Sequence, residues 1–227
     1  MDDKKLDVLV KEVEDEISKQ VKKIDERCMR NSIRVLDAFQ KNRIADVHFN
    51  STSGYGYDDI GRDAIEKVFA DVFHTEDALV RNQFISGTHA ITVALFANLR
   101  PGDTLLSISG KPYDTLDSII GLNDNPSSLK SYNVNYEQID LIDDDFDIAK
   151  IKERLAQNDV KMIEIQRSRG YATRRSLTMD KIKRAIEAVR EVNKDVIIMV
   201  DNCYGEFVDD IEPVDVGADF MVGSLIK

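Results

Sequence analysis

The chain has 227 residues, enough for one large domain or one and a half ordinary ones, with 42% hydrophobic and 32% charged residues. Its formal net charge of −11 argues against a nucleic-acid partner or an anionic membrane surface, where phosphates would repel it. Cys28 and Cys203 match no zinc spacing, and with no signal peptide and no long apolar span the expected compartment is a reducing cytoplasm.

Residues 2–28 read as a helix, because Leu6, Val10, Val13, Ile17, Val21 and Ile24 recur at three- and four-residue steps among Lys and Glu. A second helix is expected over 31–41, with Ile33, Val35, Leu36 and Phe39 on one face. Residues 1–48 are therefore expected to form a helical arm that packs on the body or on a neighbouring subunit. Its polar face mixes both charge signs, which suits a membrane surface poorly. Residues 49–227 are expected to form the main domain. Residues 48–62 (HFNSTSGYGYDDIGR) are a loop rich in Gly, Ser and Tyr. They read equally well as a ligand clamp or as a solvent-exposed turn. Asp58 or Asp59 can cap the helix that follows, which runs to about His74 through Ile65, Val68, Phe69 and Val72.

Strands and helices then alternate. Strands are expected at 78–82 (ALVRN), 103–109 (DTLLSIS), 133–141, 160–166 (VKMIEIQ), 196–200 and 220–225. Helices are expected from Ser86 to about Leu99, over 115–122, over 145–155 and over 179–192. This alternation predicts an α/β fold with a mostly parallel sheet and helices on both faces. Ligands in such folds bind beyond the carboxyl ends of the strands. One rim would then carry the Ser86 loop, the Tyr113 turn, residues 166–170, Asp201 and Lys227.

Ser86-Gly87-Thr88 lies between a strand and a helix. Gly87 lets backbone come close to a ligand, the helix start offers unpaired N–H groups to an anion, and Thr88 adds a hydroxyl. No GxxxxGK[ST] or GxGxxG motif occurs. Tyr113, at the turn after a strand, can stack on a planar ring or simply pack on the rim. Asp201 ends one apolar run and Lys227 another. A carboxylate and an amine on strand ends are what a pyridoxal phosphate (PLP) site requires: the amine forms an imine with the aldehyde, and the carboxylate keeps the pyridine nitrogen protonated. Metal binding by Asp201 with Glu206 and Asp209 is the rival, but no nearby histidine completes a set. Ser224 precedes Lys227 by three residues and can direct a hydroxyl to the same ligand. Arg167 and Arg169 either bind a carboxylate or lie exposed.

The phrases GYGYDDIGRD, SGTHAI, GKPYDTL, VDNCYGEF and GADFMVGSLIK, in this order, resemble the large domain of fold-type-I PLP enzymes. They are most similar to the methionine gamma-lyase and cystathionine lyase group, and within it to the bacterial aluminium resistance branch. The resemblance covers 49–227 and implies a PLP-dependent transferase-like large domain. It implies that Lys227 is the Schiff-base lysine, that Asp201 pairs with the pyridine nitrogen and that Tyr113 stacks on the ring. Ser86, Gly87, Thr88 and Ser224 would contact the phosphate. Tyr57 and Arg62 resemble the pair that reaches the cofactor phosphate of a neighbouring subunit, which implies a homo-oligomer, a dimer or tetramer with a shared active site. The lyases place that tyrosine and arginine closer together, so Tyr55 and Tyr57 both stay open. Ile226 stands where the lyases carry a hydroxyl residue. The implied activity is a carbon–sulfur lyase acting on a sulfur-containing amino acid. The alternatives are aminotransfer or cysteine desulfuration, a non-catalytic PLP-binding stress protein, or a plain phosphate-binding domain. The family's substrate-carboxylate arginine lies in a later, smaller domain, and the stop at Lys227 straight after an apolar run suggests that more chain follows.

Overall fold

The computed structural model describes residues 3–224 except 56 and 58. Helix α1 (Asp3–Lys41) is continuous for 39 residues, about 58 Å at 1.5 Å per residue. Two helices were expected here. Cys28-Met29-Arg30 contains no glycine or proline, so nothing breaks the hydrogen-bond ladder. What changes along α1 is the apolar face. The stripe from Leu6 to Ile24 is exposed, whereas Ala38 is buried and Val35 packs with it against Val68, Val72 and Phe73 of α2 (Ile60–Phe73). Asp59 caps α2 by accepting the Arg62 N–H at 3.1 Å.

Five parallel strands form the sheet: β1 (Thr104–Ser107), β2 (Asn135–Gln138), β3 (Val160–Gln166), β4 (Ile197–Asp201) and β5 (Phe220–Val222), in the order β2-β1-β3-β4-β5. The helices are α3 (Gly87–Asn98), α4 (Asp117–Ile120), α5 (Ile148–Leu155) and α6 (Met179–Val192). Residues on opposite sides of each strand serve two cores. Leu106, Ile163, Ile198 and Val200 pack with Ile151 of α5 and Ile182 of α6. Leu105, Met162, Met199 and Val222 pack with Ile91 and Leu95 of α3 and Ile120 of α4. This is the α/β arrangement expected from the alternation. From β1 the chain runs outward to β2 and then crosses back to β3 on the other side. The strand order therefore reverses between β1 and β3, and a crevice opens at their carboxyl ends.

The expected strand at 78–82 is not part of the sheet. The Val80 N–H donates to Glu66 Oε1 of α2 at 3.0 Å, and Arg81 pairs with the same carboxylate. A side chain has taken the place of a neighbouring strand. β5 ends at Val222, and the remainder of the expected strand at 220–225 reaches beyond the described residues. Among the described residues no helix is long and apolar enough to cross a membrane.

The arm is fastened to the body by polar groups. Buried Asn31 donates to the carbonyls of Phe207 at 2.9 Å and Asp209 at 3.3 Å, and Arg30 forks onto both oxygens of Asp210 at 2.8 and 2.9 Å. Asn31→Ala leaves two carbonyls without their donor and is expected to cost about 1–3 kcal/mol in urea unfolding. Lys19→Ala, on the solvated stretch of the same helix, is expected to change stability by less than about 0.5 kcal/mol.

Candidate active site

β4 delivers Asp201 to the rim as its last residue, and packing on both sides leaves it only 5% exposed. A carboxylate there must be hydrogen-bonded, and Oδ1 accepts the Cys203 N–H at 3.0 Å. Gln166, the last residue of β3, stands opposite Asp201 in the register. Its Oε1 accepts the Tyr113 N–H at 2.5 Å and its Nε2 donates to the Ser168 carbonyl at 3.0 Å. The turn after β1 is thus held to the end of β3, across the crevice. The rings of Tyr113 and Tyr171 lie 5.5 Å apart at 37°. A hydrogen bond with Tyr171, followed by desolvation, pushes the Tyr113 phenol up to about 12, so it stays protonated at neutral pH. A cavity of about 320 Å³ opens between these groups, lined by Thr88, Tyr113, Arg169, Tyr171, Asp201 and Tyr204.

The start of α3 forms another wall. Ser86 caps it by accepting the His89 N–H at 3.0 Å. The amides of Gly87 and Thr88 precede the first intrahelical bond, and the first turn holds no acidic residue. A Cβ on Gly87 would lie 3.1 Å from Cys203 Sγ and 3.4 Å from Ser224 Cβ. Glycine is needed here for close approach, and the contact brings Ser224 beside the helix start. Thr88 Oγ1 lies 3.0 Å from Thr115 Oγ1. The start of α3 thus sets amides that make no intrahelical bond, and the Thr88 hydroxyl, at one side of a cavity also lined by Asp201 and Tyr113.

Of the residues singled out by sequence, the fold gathers Thr88, Tyr113 and Asp201 around the cavity, with Gly87 and Ser224 packed at its edge. Ser86 uses its hydroxyl oxygen as a helix cap. Tyr57, 84% exposed, and Arg62, in the first turn of α2, do not line the cavity of their own chain. Lys227 lies outside the described residues. The two arginines part company. Arg169 is exposed and lines the cavity, whereas Arg167 is buried, pairs with Asp209 at 2.6 Å, and donates to Asn202 Oδ1 at 2.9 Å and the Gly205 carbonyl at 2.8 Å. Glu206 accepts the Ser224 N–H at 2.8 Å. Asp201, Glu206 and Asp209 thus face different partners, and among the described residues no three His, Cys, Asp or Glu side chains are grouped to hold a metal.

Sequence reasoning put Gln166 on the rim without giving it a role, and missed Tyr171, Tyr204 and Glu164. Tyr171 and Tyr204 follow the ends of β3 and β4, the strands that Gln166 and Asp201 close. Glu164 left a plainer signal: it is a carboxylate inside the apolar run MIEI.

The methionine gamma-lyase family model matches residues 6–227. The chain belongs to the methionine gamma-lyase family. It is 51% identical over 221 residues to the uncharacterized protein YnbB of Bacillus subtilis, covering 95% of this chain and 52% of that protein. A carbon-sulfur lyase involved in aluminum resistance from Clostridium novyi superposes with a TM-score of 0.91 at 45% identity, over 96% of this chain and 52% of that one. A Listeria monocytogenes protein, named as a candidate cystathionine beta-lyase involved in aluminum resistance, superposes with a TM-score of 0.94 at 51% identity, over 97% of this chain and 56% of that one. The pyridoxal-5'-phosphate dependent protein YhfS of Escherichia coli shares the fold at 20% identity, with a TM-score of 0.65 over 87% of this chain and 50% of that one. The chain spans about half the length of the relatives it matches. The fold of this family member is the PLP-dependent transferase-like large domain, as the motif order implied.

Arg167 is a structural group in this family member. Glu212 is fully buried 3.7 Å from its guanidinium, and burial raises that carboxyl above the usual range. Arg167→Ala leaves Glu212 with Arg34 at 3.7 Å as its remaining cationic neighbour and takes the ion pair from Asp209, and is expected to cost about 3 kcal/mol in chemical denaturation.

Proposed function

We propose that this protein is a PLP-dependent carbon–sulfur lyase acting on a sulfur-containing amino acid of the methionine or cystathionine type. The observation that carries this reading is Asp201, buried at the end of β4 in a cavity bounded by Tyr113 and by the start of α3. The residues fit the cofactor: an anion cradle, a ring-sized wall and a buried carboxylate occupy one cavity of about 320 Å³. The family and the lyases named above support it.

Gly87, Thr88 and Ser224 would bind the phosphate through amides and hydroxyls. Tyr113 would orient the ring, its backbone N–H fixed by Gln166 and its phenol kept protonated. Asp201 would hold a proton on the ring nitrogen, because its charge favours the cationic form of a group facing it. Lys227 would hold the aldehyde carbon and, once displaced by the substrate amine, take the proton from the substrate α carbon. Bound PLP supplies an electron sink for the charge left at that carbon. Tyr57 and Arg62, which stand away from their own chain's cavity, would reach the phosphate of a neighbouring subunit, making the working form a homo-oligomer. Cytoplasmic residence is part of the same proposal, resting on the sequence composition.

Purified protein incubated with methionine, cystathionine or cysteine is expected to release a 2-oxo acid with equimolar ammonia. Stoichiometric transfer of the amino group to an added 2-oxo acid would instead assign a transferase. Asp201→Asn is expected to keep PLP bound and to lower kcat about 10²–10³-fold, the size of losing one key electrostatic group. Lys227→Ala is expected to remove the lysine that borohydride fixes to the cofactor. Peptide mapping checks this, and a labelled lysine elsewhere in the variant would refute the assignment.

A further inference from the structure

Glu164 is used by nothing described so far. It sits in the middle of β3, 1% exposed, on the same sheet face as Gln166 and Asp201. Its register partners are Ser107 on β1 and Met199 on β4. Oε2 lies 2.7 Å from the Ser107 hydroxyl, while Oε1 is buried with no hydrogen-bond partner among the described residues. An ionised carboxylate with one bare oxygen in this setting would be costly, since nothing replaces the water it has lost.

Counting protons sharpens the point. The Ser107 hydroxyl, fully buried, also lies 2.6 Å from the Gly110 carbonyl. A hydroxyl has one proton, and a carbonyl can only accept. If Ser107 donates to Gly110, its contact with Glu164 requires a proton on the carboxyl. The chain of donors then runs from Glu164 to Ser107 to the Gly110 carbonyl. Gly110 is left-handed, with φ of +84°, and opens the turn that ends at Tyr113. Its N–H donates to the Ile139 carbonyl at 3.0 Å, and the far end of the turn is held by Gln166. Ser107 is therefore one of the groups that aim Tyr113.

We propose that Glu164 is a positioning residue that works as a neutral acid: through Ser107 it fixes the turn presenting Tyr113 to the cavity, and by staying uncharged it leaves Asp201 as the charged carboxylate of the pair. The part played by Tyr113 and Asp201 toward a cofactor rests on the function proposed above; the protonation of Glu164 does not.

The surroundings agree. Burial pushes the Glu164 carboxyl up to about 8; the Ser107 hydrogen bond opposes this, the charge of Asp201 on β4 adds to it, and Arg174, on the segment after β3, opposes it. Tyr136 on β2 faces the same region and is raised by burial, then by the charge that Glu164 carries once it has ionised at alkaline pH, then by Asp140 and Asp117. α3 adds apolar Ile91 and Leu95 here, and α4 adds apolar Ile120 together with the carboxylate of Asp117, whose charge reaches Tyr136. Because the folded chain holds this proton more tightly than the unfolded one, stability from the group is full below the ordinary carboxylate range. It is lost as pH rises through about 8.

The test compares the wild type with Glu164→Gln and Glu164→Ala. Gln keeps a neutral donor of the same shape, and Ala removes it. Infrared spectra of the wild type are expected to show a protonated carboxyl band at neutral pH that fades at alkaline pH and is absent from E164Q. Hydrogen exchange of the segment 108–116 is expected to stay near wild type in E164Q and to rise about tenfold or more in E164A, the loss of a buried hydrogen bond. E164Q is also expected to lose the alkaline fall in melting temperature. If E164A does not fold, the E164Q comparison and the wild-type band still decide. Absence of the band at neutral pH, or exchange in E164Q as fast as in E164A, would overturn the proposal. PLP binding is read separately by absorbance titration. A wild type that shows the carboxyl band and the protected turn but binds no PLP would overturn the cofactor reading and leave the role of Glu164 standing.

Discussion

Asp201 is a charge at the end of a buried strand, and the local structure is what such a charge requires. Its strand is flanked by β3 and β5, which leaves the carboxylate 5% exposed at the wall of the cavity. The Cys203 amide donates to its Oδ1, and the carboxylate lines the cavity. Gln166 stands beside it and ties the end of β3 to the Tyr113 turn. The reversal of strand order between β1 and β3 leaves the gap that these groups share. The acidic rim and the anion cradle at α3 occupy different sides of one cavity, which suits a ligand that is cationic at one end and anionic at the other.

Beside this site the chain is braced by a second polar cluster. Arg167 leaves β3 in the direction away from the cavity and meets Asp209, Glu212, Asn202 and the Gly205 carbonyl. Asn202 in turn donates to Glu212 at 3.0 Å. Arg27, Arg30, Asn31 and Arg34 of α1 close on the same loop. The segment after Asp201 is therefore held from both sides, by the body through Arg167 and by the arm through Asn31 and Arg30. The arm thus meets the loop that follows Asp201 from Phe207 onward, through packed groups with little freedom to adjust.

Much of this was legible in the sequence, for identifiable reasons. β3 and α6 follow the limits that their apolar patterns predict, because long periodic segments buried on a core leave little choice of register. Asp201 and Tyr113 were legible because each follows a strand at the rim of a parallel sheet. The strand at 78–82 was misread because composition does not show whether a neighbouring strand is in reach; here Glu66 took the hydrogen bond. The break in α1 was misread because a change of apolar face looks like a break when the partner surface is unknown. Arg167 and Arg169 could not be told apart, since two positions flanking Ser168 on a chain leaving a strand face different environments that only packing defines.

The sequence alone determined the α/β class, the parallel sheet and the place of Asp201 and Tyr113 at the rim, because periodicity and strand-end position are local properties of the chain. The tertiary structure decided which of those groups meet. It set Gly87 against Ser224 across 137 residues of chain, put Arg167 in a buried salt bridge and left Arg169 facing the cavity. It also gave Glu164 its meaning: in the sequence it is one carboxylate among apolar neighbours, and only the register of β1 beside β3 places it on the Ser107 hydroxyl. Such contacts join residues far apart in the chain, and their energy depends on burial, which no local pattern records.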